Sequence, residues 1–342
     1  MKTDNLDLDV GSLGTFFQTF PFTSKAELAE DQRLHPPYGS ILTCPVERYT
    51  RFTMTSATTG PPIRWLDTPE SWAWMVENKA RVYQAAGITS DDRGFFPFSF
   101  GPFLGFWVAF EAAVFMQCLC FPGGGLSSLA RLQMIMDQEI TFLCCTPTYA
   151  IRLGEVAREE GIDFSLSKVR SIFTGGEPGG SVSAIYTRIE SLWPGARVYD
   201  HHGMTETGSA SYACPARRGI AHIVESAYIA EVIDPDSCEP VSAGTVGELV
   251  LTNLGRLGSP LIRYRTGDLV KPESVGRCAC GSDELALDGG ILGRLDDMVV
   301  VRGVNMYPLA VDRVVRDLDA VDIVPTDFLP RFEMKAKRWV WG

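Results

Sequence analysis

The sequence has no basic excess: 31 Lys and Arg stand against 42 Asp and Glu, a net charge of −11. A nucleic-acid partner demands a positive face, so neither DNA nor RNA is expected as a ligand. A long uninterrupted apolar run is also missing. The most apolar region, 95–121, is broken by Pro97, Gly101, Pro102, Gly105 and Glu111, which reads as buried core and not as a membrane span. The opening MKTDNLDLDV is acidic and lacks an apolar stretch, so no secretory signal is expected and a cytoplasmic location is. Cysteine is sparse, nine in 342 residues. That is too few for a disulfide scaffold and fits a reducing compartment. What remains is an ordinary globular balance, 45% apolar and 21% charged, in a chain long enough for a large core and more than one domain.

Periodicity predicts an alternation of helices and short apolar strands. Helical spacing covers 69–87, 103–117, 127–138, 148–160 and 181–192. Strand-like runs fall at 118–122, 141–145, 169–173 and around Val198. Such alternation argues for an α/β fold with parallel-type sheets covered by helices. After about residue 220, YIAEVID, GELVLTN and PLIRYRTGDLV are short, β-rich and punctuated by Gly and Pro, as in antiparallel strands or a small β-barrel-like subdomain. From 298 onward VVVRGVNMYPLAVDRVVRDL reads as the opening of a small α+β domain of about forty residues, fewer than usually fold alone. The expected division is 1–293, a hinge at 294–297, and an incomplete small domain at 298–342.

Three stretches have the chemistry of a nucleotide site. TSATTG (55–60) clusters hydroxyls around a glycine, as a loop cradling phosphate does, yet has no Walker lysine. In HHGMTET (201–207) a Thr-Glu pair beside a glycine turn suits Mg²⁺ and phosphate together. In RYRTGD (263–268) an aspartate past a glycine turn can accept hydrogen bonds from a vicinal diol. Each alone fits a plainer reading as well: a polar turn, a helix N-cap with an acidic first turn, and an aspartate closing a loop.

Their order is more specific. TSATTG, GGEPGG, HHGMTET, RYRTGD, GRLDDMVVVRGVN and LPRFEMKAKR follow one another as in the acyl-adenylate-forming superfamily of acyl-CoA ligases, adenylation domains and luciferases. Over about residues 20–342 the chain most resembles the phenylacetate–CoA ligase branch, a likeness that FPFTSKAEL, TPTYA, GELVLTNLGR and RGVNMYP also carry. The resemblance implies an ATP-dependent enzyme that joins a carboxylate to AMP and transfers the acyl group to coenzyme A. It implies that Ser56, Thr58, Thr59 and Gly60 hold the β,γ-phosphates and that Gly175, Gly176, Glu177 and Pro178 line the adenine. Asp200 is expected near the adenine amino group. His202 stands where the branch usually has an aromatic ring. Thr205 is expected on the α-phosphate, Glu206 on Mg²⁺ and Asp268 on both ribose hydroxyls. Arg294 and Asp296 match the hinge motif, with Asp296 at the pivot, and Lys335 matches the lysine that meets the carboxylate and α-phosphate, with Lys337 as fallback.

Cys214, His222, Cys278 and Cys280 make a Cys₃His set of the kind that holds structural zinc. The alternative is four unrelated thiol and imidazole side chains. Phe100, Phe103 and Tyr149 are the candidates for an acyl pocket, which favours a small aromatic acid; an aromatic stripe also serves as core. Two substitutions depart from the family loop: Ala57 and Pro61 replace glycine and lysine. The small domain looks contracted between Ala320 and Val321. Two alternatives remain: an adenylating enzyme that hands the acyl group to an amine, hydroxyl or carrier protein, and a catalytically inactive nucleotide-binding homologue. A homodimer would be in keeping with the branch.

Overall fold

The structure is a computed structural model that describes residues 11–55, 62–177, 179–274, 276–295, 299–301 and 304–306. Ser56, Ala57, Thr58, Thr59, Gly60, Pro61, Pro178, Asp296, Lys335 and Lys337 lie outside the described residues, as does most of 298–342.

Several short runs are apolar at successive positions without polar alternation, the pattern of strands covered on both faces. They form a five-stranded sheet, all parallel, in the order Leu119–Pro122, Arg93–Phe96, Phe142–Cys145, Ser171–Thr174, Arg197–Asp200. Side chains alternate between its faces. Phe96, Phe142, Cys144 and Phe173 join Trp72, Met75, Tyr83 and Ala112 from helices Pro69–Ala85 and Leu104–Phe115. Phe95, Leu143, Cys145, Ile172 and Val198 join Ile135, Leu153 and Ile189 from helices Ser128–Asp137, Pro147–Glu159 and Ser183–Leu192. Burying each large apolar side chain in these two layers stabilises the fold by about 1.5–3 kcal/mol. Among the described residues this is the one parallel sheet, covered on both faces by helices as expected.

Helix Pro69–Ala85 shows how the sequence sets its own bounds. The Thr68 hydroxyl accepts from the Ser71 N–H, and proline occupies the first turn, where its missing N–H costs nothing. Trp72, Met75, Val76, Ala80 and Tyr83 recur at three- and four-residue spacing and are buried, and so is Lys79 on the same face.

Beyond residue 210 the strands are antiparallel. One sheet has the order Ser211–Ala213, Ile220–Ile223, Ala286–Asp288; another runs Tyr228–Ile233, Gly247–Asn253, Tyr264–Val270, Gly293–Arg294. Ile223 and Leu287 of the first share a core with Leu249, Leu251 and Val270 of the second. Arg294 pairs in register with Asp268 and so belongs to this sheet.

The N-terminal segment is tied to the same sheet. Thr23 donates its N–H to the Arg263 carbonyl and accepts from the Arg265 N–H, both at 2.9 Å. Helix Lys25–Leu34 then begins in a capping box: the Ser24 side chain accepts from the Glu27 N–H and Glu27 accepts from the Ser24 N–H. An antiparallel hairpin, Arg51–Met54 with Arg64–Asp67, flanks the TSATTG stretch. Its Ile63 and Trp65 pack with Leu28, Leu261 and Tyr264. No helix among the described residues is long and apolar enough to cross a membrane.

Candidate nucleotide-binding site and metal centre

Ligands of parallel α/β sheets gather at the carboxyl ends of the strands. Here those ends deliver Gly175, Gly176 and Glu177 from one strand and Asp200, His201 and His202 from its neighbour. The two loops touch: a Cβ on residue 175 would stand 2.8 Å from Cε1 of His201, so only glycine fits there. A Cβ on residue 180 would collide with the Thr174 hydroxyl and the Asp200 carboxylate. Asp200 accepts hydrogen bonds from Ser181 Oγ at 2.7 Å and Thr174 Oγ1 at 3.1 Å. Burial still holds its carboxyl above the usual carboxylate range. The Glu177 carboxylate accepts from the Thr148 N–H at 2.7 Å and so caps helix Pro147–Glu159.

The HHGMTET stretch is not a helix start. Gly203–Met204 and Gly208–Ser209 form a short antiparallel hairpin with Thr205, Glu206 and Thr207 at its turn. That turn is held from below by Arg256, whose side chain is fully buried. Nε and Nη2 donate to the two oxygens of Asp67, each at 2.7 Å, and Nη1 donates to the carbonyls of Thr205 and Glu206 at 2.7 and 2.8 Å. A planar guanidinium is suited to this because its donors have fixed directions.

Asp268 lies at the centre of a three-residue group. His202 Nε2 is 2.8 Å from its Oδ2, and Arg294 Nη1 donates to its Oδ1 at 3.0 Å. Burial alone would raise this carboxyl; the His202 ring and the Arg294 guanidinium outweigh it and keep the group below the usual range. An ionised carboxylate has about four acceptor positions, so Asp268 keeps capacity for a diol while held in place.

The Glu206 carboxylate is buried, 3% exposed, with Lys25 Nζ at 3.4 Å and the Tyr264 hydroxyl at 3.4 Å. Deeper still, Lys79 Nζ is 2.6 Å from His201 Nε2. Burial pushes Lys79 down to about 8 and His201 well below its ordinary value. Lys25, Lys79, Asp67 and Arg256 escaped the sequence reading. Lys25 sits inside FPFTSKAEL, a stretch noted only for its texture, and Arg256 inside GELVLTNLGR.

The three residues assigned to an acyl pocket are not gathered in one wall. Phe100 packs with Phe98, Trp107 and Phe110 on one face of the parallel sheet. Phe103 contacts Phe106. Tyr149 packs with the cluster on the opposite face, and its hydroxyl is hydrogen-bonded by Arg131. TPTYA and SFGPFLGFW both follow strand ends, and their aromatic side chains pack on different faces of the sheet.

Cys214, His222, Cys278 and Cys280 come together, with their ligand atoms all within 4.8 Å of one another. Cys214 Sγ and Cys278 Sγ are 3.7 Å apart, and Cys280 Sγ is 3.4 Å from His222 Nε2. A tetrahedral zinc ion with Zn–S of about 2.3 Å and Zn–N of about 2.0–2.1 Å requires separations of about 3.8 and 3.6 Å. His222 Nδ1 lies 3.3 Å from the Glu284 carbonyl, an arrangement that leaves Nε2 free to ligate. The backbone N–H of Cys280 holds the Cys278 thiol down to about 6, whereas burial pushes Cys214 up to about 11.

A parallel sheet with a glycine-lined loop and a clamped Thr-Glu turn at its carboxyl edge, and a buried aspartate held beside them by His202 and Arg294, is an arrangement suited to a nucleotide. The AMP-binding enzyme family matches residues 49–255, and the chain belongs to that family. It is 32% identical over 307 residues to the phenylacetate-coenzyme A ligase of Thermus thermophilus, which covers 89% of this chain and 66% of that protein. It is 31% identical to the Pseudomonas putida protein of the same name, over 86% of this chain and 65% of that one. The chain thus spans about two-thirds of the length of these relatives. Among solved structures, 2-hydroxyisobutyryl-CoA ligase in the postadenylation state superposes with a TM-score of 0.84 at 30% identity, covering 90% of this chain and 65% of that chain.

Proposed function

We propose that this protein activates a carboxylic acid as its acyl-AMP, using ATP, and then passes the acyl group to coenzyme A, with an aromatic acid as substrate. The observation that carries this reading is the convergence of Thr205, Glu206, His202, Asp268 and Arg294, drawn from four separate strands or turns, on one edge of the sheet. In the first half-reaction a carboxylate oxygen attacks the α-phosphorus, and pyrophosphate leaves with the electrons of the broken P–O bond. In the second, the thiol sulfur attacks the acyl carbon, its proton is released, and AMP leaves. Both steps need alignment and charge neutralisation more than covalent help. Asp268 fixes the ribose and Thr205 meets the α-phosphate. Glu206 is the residue for Mg²⁺, a hard ion satisfied by carboxylate and phosphate oxygens together. Lys335 carries the remaining positive charge by its place in the EMKAKR motif.

An aromatic acid is supported by the names of the curated relatives and by the ring cluster of Phe98, Phe100, Phe106 and Phe110. The Cys₃His set is proposed as a structural zinc site, because its geometry fits a closed tetrahedron and it stands apart from the Asp268 group.

The test is to incubate the protein with ATP, Mg²⁺ and coenzyme A and a panel of phenylacetate, substituted benzoates and short aliphatic acids. Pyrophosphate and a thioester are expected with an aryl acid. Lys335→Ala should abolish pyrophosphate release and keep AMP binding. No pyrophosphate with any acid overturns the reading; turnover confined to aliphatic acids overturns its aromatic part.

A further inference from the structure

The phosphate loop of this chain lacks a lysine, since Pro61 occupies that place. A triphosphate carries more negative charge than one Mg²⁺ removes, and Lys335 is assigned to the carboxylate and α-phosphate, so a further cation near the outer phosphates would strengthen binding. From the geometry around Glu206 we infer that Lys25 is that cation: it rests on the Glu206 carboxylate when no nucleotide is bound and turns to the β,γ-phosphates of ATP when Mg²⁺ takes the carboxylate. This rests on the nucleotide site proposed above.

Three observations carry the inference. First, the position of Lys25 is imposed by tertiary contacts. A cation at the first residue of a helix lies at the positive end of the helix dipole, which is unfavourable. The capping box of Ser24 and Glu27 and the pairing of Thr23 with Arg263 and Arg265 nonetheless fix the helix start beside the strand that bears Asp268.

Second, the contact is asymmetric. Glu206 is 3% exposed, whereas the Lys25 side chain is 49% exposed and its Nζ stands 3.4 Å from Oε1. The carboxylate is fixed; the ammonium lies on an open, flexible stem that can rotate away.

Third, the distances agree. Mg²⁺ binds its oxygens at about 2.0–2.1 Å in octahedral geometry, which puts neighbouring ligand oxygens about 3 Å apart. Phosphate oxygens sharing an ion with Glu206 therefore lie about as far from its carboxylate as Lys25 Nζ does now. Both thus fall in one shell around the carboxylate, a span that the flexible four-carbon stem of lysine can cross.

The experiment is calorimetric titration of wild type, Lys25→Met and Lys25→Arg with AMP, with Mg²⁺–ATP and with Mg²⁺–pyrophosphate. Methionine keeps the stem and removes the charge. Lys25→Met is expected to weaken ATP and pyrophosphate binding about tenfold or more, with AMP binding within about twofold of wild type and an unchanged thermal unfolding midpoint. Lys25→Arg should restore most of the loss. Equal ATP affinity in Lys25→Met and wild type overturns the inference. So does a parallel loss of AMP and ATP, which would make Lys25 a structural partner of Glu206 only. Wild type that binds AMP but not ATP overturns it while leaving the adenylate site standing. Wild type that binds neither overturns the proposed function and this inference together.

Discussion

Replacing Asp67 by asparagine should destabilise the protein more than most single changes on its surface or in its sheets. The carboxylate and the Arg256 guanidinium are both fully buried, bonded twice at 2.7 Å. An amide of nearly the same shape still accepts from Nε but sets its own NH₂ against Nη2, and the guanidinium charge is left uncompensated. Removing one partner of a buried pair costs about 3–5 kcal/mol. With a urea slope of about 2–3 kcal/mol/M, the unfolding midpoint should fall by about 1–2 M. The assay is urea unfolding followed by far-ultraviolet circular dichroism, with AMP affinity measured in parallel. Asp67→Leu combined with Arg256→Met replaces the pair by apolar groups and should recover most of the stability. AMP binding should stay impaired in the double variant, because the Thr205 and Glu206 carbonyls have lost their donor. A midpoint shift below about 0.3 M for Asp67→Asn, or a double variant as unstable as the sum of the two single changes, would refute the argument.

Protein purified without added metal should contain zinc, and Cys278→Ser should lose it; with free zinc at about one hundred times its Kd, loss of the ion corresponds to about 2.7 kcal/mol of stability, read as a lower unfolding temperature. Absence of zinc by elemental analysis in freshly reduced protein would disprove the site. Stability should also fall below about pH 6.5. Burial holds His201 well below its ordinary value of 6.5, so the unfolded chain takes up a proton there that the folded chain refuses. The contribution is complete above pH 6.5 and is lost as pH falls, by at most about 1.4 kcal/mol per pH unit. His201→Asn should flatten the drop in urea midpoint between pH 7 and pH 5, and an unaltered slope would count against the assignment.

Most of the parallel sheet was legible because runs such as Phe142–Cys145 and Ser171–Thr174 are buried at every position, whereas strand Arg93–Phe96, which opens on arginine and glycine, was not anticipated. The helices were placed within a few residues for a related reason: Thr68 and Thr146 mark their starts with a following proline. The N-terminal helices and the Arg51–Met54 hairpin were not anticipated; helix Lys25–Leu34 buries only Leu28 and Gln32, and so little burial writes no strong pattern. Asp268, Thr205 and Glu206 were legible as a motif series. Lys25 and Arg256 were not, because they act through partners 181 and 189 positions away, a distance at which spacing carries no information. The acyl-pocket residues were not decided by pattern, because aromatic side chains serve core and ligand wall alike.

The contact between Gly175 and His201 has an evolutionary consequence. The imidazole fills the space that a side chain at 175 would take, and its Nε2, on that same edge of the ring, lies 2.6 Å from buried Lys79 Nζ. The three positions therefore share one volume and one proton. Among homologues, a larger residue at 175 should appear only with a smaller one at 201, and loss of the imidazole should appear only with a neutral residue at 79. Drift at any of the three is thus permitted only as a concerted change, even though Lys79 lies on a helix far from the loops in sequence. A family alignment in which these positions vary independently would show that the contact imposes no such linkage.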